Sequence, residues 1–259
     1  MIVRDLFENG ILDEQQKPIF EAYKKEHQKV FDLLYEYNKL CCKIINSYTG
    51  IEVTEEKLYI FPAFVEIHKI YQSAILMLEY GVPNSAENLL RSMFELMLKM
   101  LYVFKEENNI KRLKMKNYSE ALSQILYIEN NTLYEIVPKD YIDKYKTQLE
   151  ESKNELIKQG VKNAPNIYDM CVELGLTAEY SYYKYLCDFT HTSFYLISSM
   201  NVEMENSVII NGYEDYDNVE NIGLRIITIL NIIVDKMVTM YFNSFLDEYN
   251  NLSKKLEKI

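Results

Sequence analysis

The chain has no tryptophan and, among 259 residues, only seven glycines and five prolines. A turn-rich β fold needs such breakers between its many short strands, so their scarcity favours long helices. A membrane-length apolar run is also lacking. The greasiest stretch, IITILNIIVDKMVTMYF (Ile226 to Phe242), is cut by Asn231, Asp235 and Lys236, which makes it a buried helix rather than a span of about 20 apolar residues. The opening MIVRDLFENGILDEQQ is acidic and has no apolar h-region, so no secretory signal is read there and the expected location is cytoplasmic. The four cysteines, Cys41, Cys42, Cys171 and Cys187, form no C-x-x-C pair, and free thiols are expected.

Positive charge is in short supply. Lys plus Arg number 28 against 39 Asp plus Glu, a net charge of −11. That field repels polyanions, so non-specific nucleic-acid binding is not expected. The densest basic run, IKRLKMK, holds Lys111, Arg112, Lys114 and Lys116; it is either a local basic patch or, on the plainer reading, a solvated loop or helix end. There is no Walker A sequence, no G-x-G-x-x-G and no G-x-S-x-G, which removes nucleotide-fold chemistry and a nucleophile elbow.

What is present reads as helix almost throughout. The fold class is all-α: a multi-helix bundle with long antiparallel helices and one small extended or β-hairpin insertion near 207–216, where an apolar run adjoins Asn-Gly. One domain over 1–259 is expected. It comprises an N-terminal long helix at 19–48, a core bundle at 54–107 and 177–257, and a polar helical insertion at about 108–165. Thr54 should cap one core helix, with Pro62 kinking or restarting it. Asn84 and Glu87 should form a capping box for the next. Asn117 with Glu120 should cap a helix after a polar break, and Asp217 or Asn218 a final helix running toward Leu256.

The segment NLLRSMFELMLKMLYV raises the functional question. Between Leu89 and Phe104, twelve of sixteen residues are apolar, so this helix should be central. Yet Arg91, Glu95 and Lys99 recur every four residues on one face. Charges with little free surface need partners. The i,i+4 pairs provide some, with Lys99 competing with Arg91 for Glu95. The preceding helix joins this one through the short Gly81–Pro83 turn, which sets His68 and Gln72 level with Glu95 and Arg91. A polar ladder between the two helices is therefore expected. A second cluster lies in YKYLCDFTHTSFY, where Asp188 and His191 stand at i,i+3 with Tyr185, Thr192 and Ser193 nearby. Convergence of Arg91, Glu95, His191 and Asp188 or Tyr185 on one core pocket would suit a small anionic ligand held by Arg91. A satisfied core histidine is the plainer reading. No metal ligands are assigned: a di-metal carboxylate bundle needs two Glu-x-x-His motifs, and only Asp188–His191 and Glu66–His68 come near. No cofactor is expected.

SAENLLRSMFELMLKMLYV, with its R-x-x-x-E at Arg91 and Glu95, and YKYLCDFTHTS about a hundred residues later resemble an uncharacterised bacterial family of helical proteins. They also resemble HEPN-like bundles. The HEPN resemblance implies metal-independent ribonuclease activity in toxin or antiphage systems, with homodimers bringing two sites together. In that reading His191 acts as general acid or base and Arg91 stabilises the phosphorane. The sequence departs from the HEPN signature, because no arginine precedes any histidine at the required spacing.

Overall fold

The computed structural model describes residues 14, 17–50, 52–130, 138–190, 201–204, 207–210 and 219–258. Ten helices account for most of them: α1 (Lys17–Glu26), α2 (Gln28–Asn46), α3 (Glu55–Glu79), α4 (Pro83–Lys105), α5 (Asn109–Asn130), α6 (Lys139–Lys158), α7 (Ile167–Leu174), α8 (Thr177–Thr190), α9 (Val219–Tyr241) and α10 (Leu246–Leu256). Two short strands, β1 (Asn201–Met204) and β2 (Ser207–Ile210), pair antiparallel with Asn201 opposite Ile210. The all-α class is as the sequence implied. The extended segment starts before the expected 207–216, and Asn211 and Gly212 lie outside the described residues.

The apolar helix is central. α4 packs on α3, α5, α7, α8 and α9, and its face of Leu90, Met93, Phe94, Met97 and Leu98 is buried. α3 and α4 form the hairpin that the short turn implied. Gly81 adopts φ +67°. The N–H of Val82 then reaches the Met77 carbonyl at 2.9 Å and that of Gly81 reaches Leu78 at 3.0 Å, a left-handed helix stop that a side chain would resist. α9 crosses α2, α3 and α4 at very close range: a Cβ on Gly223 would stand 2.5 Å from Val30 Cγ1. α5 and α6 form a second hairpin with a small core of its own, Ile125, Ile142 and Leu149. Among the described residues no helix is long and apolar enough to cross a membrane.

Five local expectations are corrected. The long N-terminal helix is broken at His27, whose φ of −101° and ψ of 26° leave the helical range. Its ring packs edge-on against Tyr23, and its Nδ1 stands 3.4 Å from Glu220 on α9. Helix α3 runs through Pro62 without a restart, with Ile60, Ala63 and Phe64 buried on either side of the missing N–H. Asn84 and Glu87 make no capping box. Val82 is the N-cap, and Glu87 is drawn into the interior. The polar break after α4 is shorter than its composition suggested, because α5 already begins at Asn109, a buried residue whose amide donates to the Tyr102 carbonyl at 2.8 Å. The last helix stops at Tyr241, and a 3₁₀ turn at Asn243–Phe245 separates it from α10.

Candidate functional site

Four charges on α4 define one face: Glu87, Arg91, Glu95 and Lys99, each one helical turn after the last. The neighbours of that face are tyrosines of α8 and an arginine of α9. Arg91 donates from Nε to Glu95 Oε1 at 3.2 Å. The same oxygen accepts from the Tyr183 hydroxyl at 2.9 Å. Arg91 also lies over the Tyr183 ring, 5.8 Å from its centroid, and that ring stacks on Phe94 at 5.6 Å. Burial pushes the Tyr183 hydroxyl up, and the Glu95 carboxylate adds to it, so this phenol stays protonated and remains a donor. For Arg91, burial alone would favour losing the proton, but Tyr183, Cys187 and Glu95 outweigh it and hold the guanidinium above its ordinary range. Arg91 and Glu95 keep 22% and 28% of their side-chain surface, so solvent reaches the pair.

The second half of the face is more deeply set. Glu87 is fully buried and Arg225 reaches it from α9, Nη1 to Oε1 at 2.9 Å. A buried carboxylate demands a cation, and a guanidinium meets it with less desolvation than an ammonium would. The Arg225 carbon sits 4.9 Å from the Tyr182 ring centroid and 5.8 Å from that of Tyr185. These two rings, three residues apart on α8, are 6.0 Å from each other at 23°. Burial and then the Glu87 charge push the Tyr182 phenol up. Arg225 keeps 39% of its side-chain surface and Tyr185 is 41% exposed, so this end opens to solvent. The Tyr182-Tyr183 doublet thus sends neighbouring rings to two different arginines.

The residues expected to form one site are divided among several places. Arg91 and Glu95 are together, as their spacing implied. Tyr185 joins Arg225 instead. His68 and Gln72 do not meet Arg91 or Glu95; both turn to α2, where His68 Nε2 lies 2.7 Å and Gln72 Nε2 3.0 Å from Asn38 Oδ1. The polar ladder is therefore absent, and α3 shows its polar face to α2. Lys99 makes no ion pair among the described residues, and Glu95 is shared with Tyr183 rather than with a lysine. Asp188 belongs to α8, but its side chain is not among those described, and His191 lies outside the described residues.

The α2–α3 cluster also brings Cys42 Sγ to 4.0 Å from His68 Nε2. That nitrogen must donate to Asn38, whose oxygen is fixed as an acceptor by Gln72. It cannot also take a proton from the thiol. Burial lowers the His68 pKa, so the ring is neutral near pH 7, and no imidazolium is there to activate Cys42. All four cysteines are free. Among the described residues, no three His, Cys, Asp or Glu side chains are grouped to hold a metal ion.

Tyr183, Tyr182, Arg225 and Glu87 were missed from sequence. The signal for Glu87 was present, because it extends the four-residue stripe by one turn. Arg225 is a lone arginine in GLRIITILNIIV, the same anomaly that singled out Arg91.

A family model described as a family of unknown function (DUF5677) matches residues 57–208. No curated protein and no solved structure matches the chain.

Proposed function

We propose a function from the site itself, because the chain belongs to the DUF5677 family, whose function is unknown: the α4–α8–α9 junction binds a small anionic ligand, a phosphate or carboxylate, through Arg225 and Arg91. One observation carries this reading. Two arginines from different helices are held on the tyrosine rings of a single helix, and each keeps part of its side-chain surface in solvent. Anchoring by Glu87 and Glu95 fixes their orientation in advance, which lowers the ordering cost of binding. The aromatic seats exclude water from one side, so a further charge-assisted hydrogen bond made there is stronger than on an open surface. His191, the histidine that the sequence singles out, is proposed as an additional donor to the same anion.

A thermal-shift series against phosphate, pyrophosphate, acetate and nucleoside monophosphates tests the proposal. It expects stabilisation by at least one anion, reduced in Arg225→Gln combined with Glu87→Gln, which removes both charges of the junction together. No stabilisation by any anion refutes it. Total RNA and short oligonucleotides incubated with the protein form the second arm. Cleavage that disappears in His191→Ala would replace ligand binding with the HEPN-like ribonuclease reading and its homodimer.

A further inference from the structure

We infer that a second anion-binding site, separate from the α4–α8–α9 junction, lies where the start of α5 meets the loop after α6, and that its ligand carries a phosphate monoester or free phosphate group. A cleft of about 290 Å³ opens there, lined by Lys111, Arg112 and Lys162 with Glu106, Gln159 and the backbone of Gly160. Its lining charge is +3 from the three cations and −1 from Glu106, a surplus of two in a chain whose net charge is −11. A phosphate monoester at pH 7 carries about −1.5 to −2, which matches that surplus.

The surplus is local and specific. Four cations occupy the run from Lys111 to Lys116, and two of them are already engaged. Lys114 pairs with Glu55, and Lys116 donates to the Pro165 carbonyl at 3.1 Å. Among the described residues Lys111 and Arg112 meet only neutral acceptors at long range, Gln159 Oε1 at 3.4 Å and Asn109 Oδ1 at 3.3 Å. Among the described residues neither they nor Lys162 has a carboxylate within ion-pair distance. Lys111 and Arg112 are half-buried, so water compensates their charges less fully than it would on an open surface.

The walls are also built in advance. Arg112 lies over the Tyr102 ring, 5.4 Å from its centroid. The facing loop is tied to α5 by the Ala164 N–H on the Arg112 carbonyl at 3.0 Å, and it is shaped by Gly160 at φ +74° with the Val161 N–H on Leu156 at 3.0 Å. Three cations thus converge on a cleft whose two sides are fixed to each other. The volume is at the lower limit of small-molecule sites, roughly 300 Å³, so the ligand is of mononucleotide size or smaller, or a phosphate group on a larger molecule.

Isothermal titration of the full chain with inorganic phosphate and with AMP, using adenosine as the phosphate-free control, tests this. Lys111→Gln/Lys162→Gln should weaken phosphate and AMP at least about tenfold with an unchanged melting temperature, while Glu87→Gln/Arg225→Gln leaves the cleft's affinity intact. Lys162→Gln alone, at an exposed position, should weaken both ligands in the same direction. The inference is overturned if no phosphate binds up to about 10 mM, if the lysine variants bind as the unaltered chain does, or if only the Glu87/Arg225 variant loses affinity. The last result would assign all anion binding to the junction. Loss in the lysine variants alone would support the cleft and count against the junction.

Discussion

Arg225 on α9 reaches across the bundle to Glu87 on α4, Nη1 to Oε1 at 2.9 Å, and the carboxylate it meets has no surface exposed to solvent. Removing the cation alone takes from a buried carboxylate its guanidinium, whereas removing both charges does not. Arg225→Gln should therefore cost about 2 to 3 kcal/mol, reduced from the fully buried case because the guanidinium is partly exposed. Glu87→Gln added to it should restore much of the loss. Chemical denaturation of the four-member cycle checks this, and additive single effects would mean that the pair is not coupled.

The contact at Gly223 sets how closely α9 approaches α2. Alanine normally favours a helix over glycine by about 1 kcal/mol. Here its Cβ would stand 2.5 Å from Val30 Cγ1, and relieving such an overlap costs about 1 to 3 kcal/mol. Val30 is β-branched and fully packed, so it cannot swing aside. Gly223→Ala should lower the melting temperature by roughly 4 °C. Val30→Ala in the same chain should make the Gly223→Ala change neutral or favourable.

Two pH dependences follow from burial. The His68 pKa is depressed by burial. Below its unfolded value of about 6.5, the unfolded chain takes a proton that the native ring refuses. Stability is then fully present above that value and falls as pH drops, by up to about 1.4 kcal/mol per pH unit. His68→Gln should flatten the fall. At the other end, burial pushes Tyr59 and Tyr102 up to about 12. Above pH 10 or so the unfolded tyrosines ionise while the native ones do not, so stability declines as pH rises from about 10 to 12. Melting curves across both ranges check the signs.

Local rules written in the sequence explain much of the fold. Thr54 accepts from the Lys57 N–H at 3.3 Å, Asn166 accepts from the Asp169 N–H at 2.9 Å, and Gly81, Gly160 and Gly175 take positive φ at helix ends. Each rests on chemistry within one turn. Several of the failures involve partners far away in the chain. His27 breaks a helix beside a ring four residues back and a carboxylate on α9. Glu87 leaves its cap to meet Arg225, 138 residues away in the chain. The stripe on α4 announced that Arg91 and Glu95 needed partners, but a periodicity names the face and not the neighbour. α8 supplied the neighbours through tyrosines, a residue type so abundant here, 23 in all, that none stood out. The assignment of His68 and Gln72 to α4 relied on their level in the hairpin. Level along the axis says nothing of rotation about it, and that rotation turned both toward Asn38.

The most direct test of the junction is a ¹⁵N NMR titration that follows the guanidinium Nε–H signals of the full chain as phosphate, AMP or acetate is added. The chain has four arginines, Arg4, Arg91, Arg112 and Arg225, so the spectrum is sparse enough to assign by single substitution. If the junction binds an anion, the Arg225 and Arg91 signals shift together and saturate with one affinity, independently of Arg112 in the basic cleft. If both stay in place through about 10 mM of every anion, the two arginines serve only to neutralise Glu87 and Glu95, and the ligand-binding account is wrong.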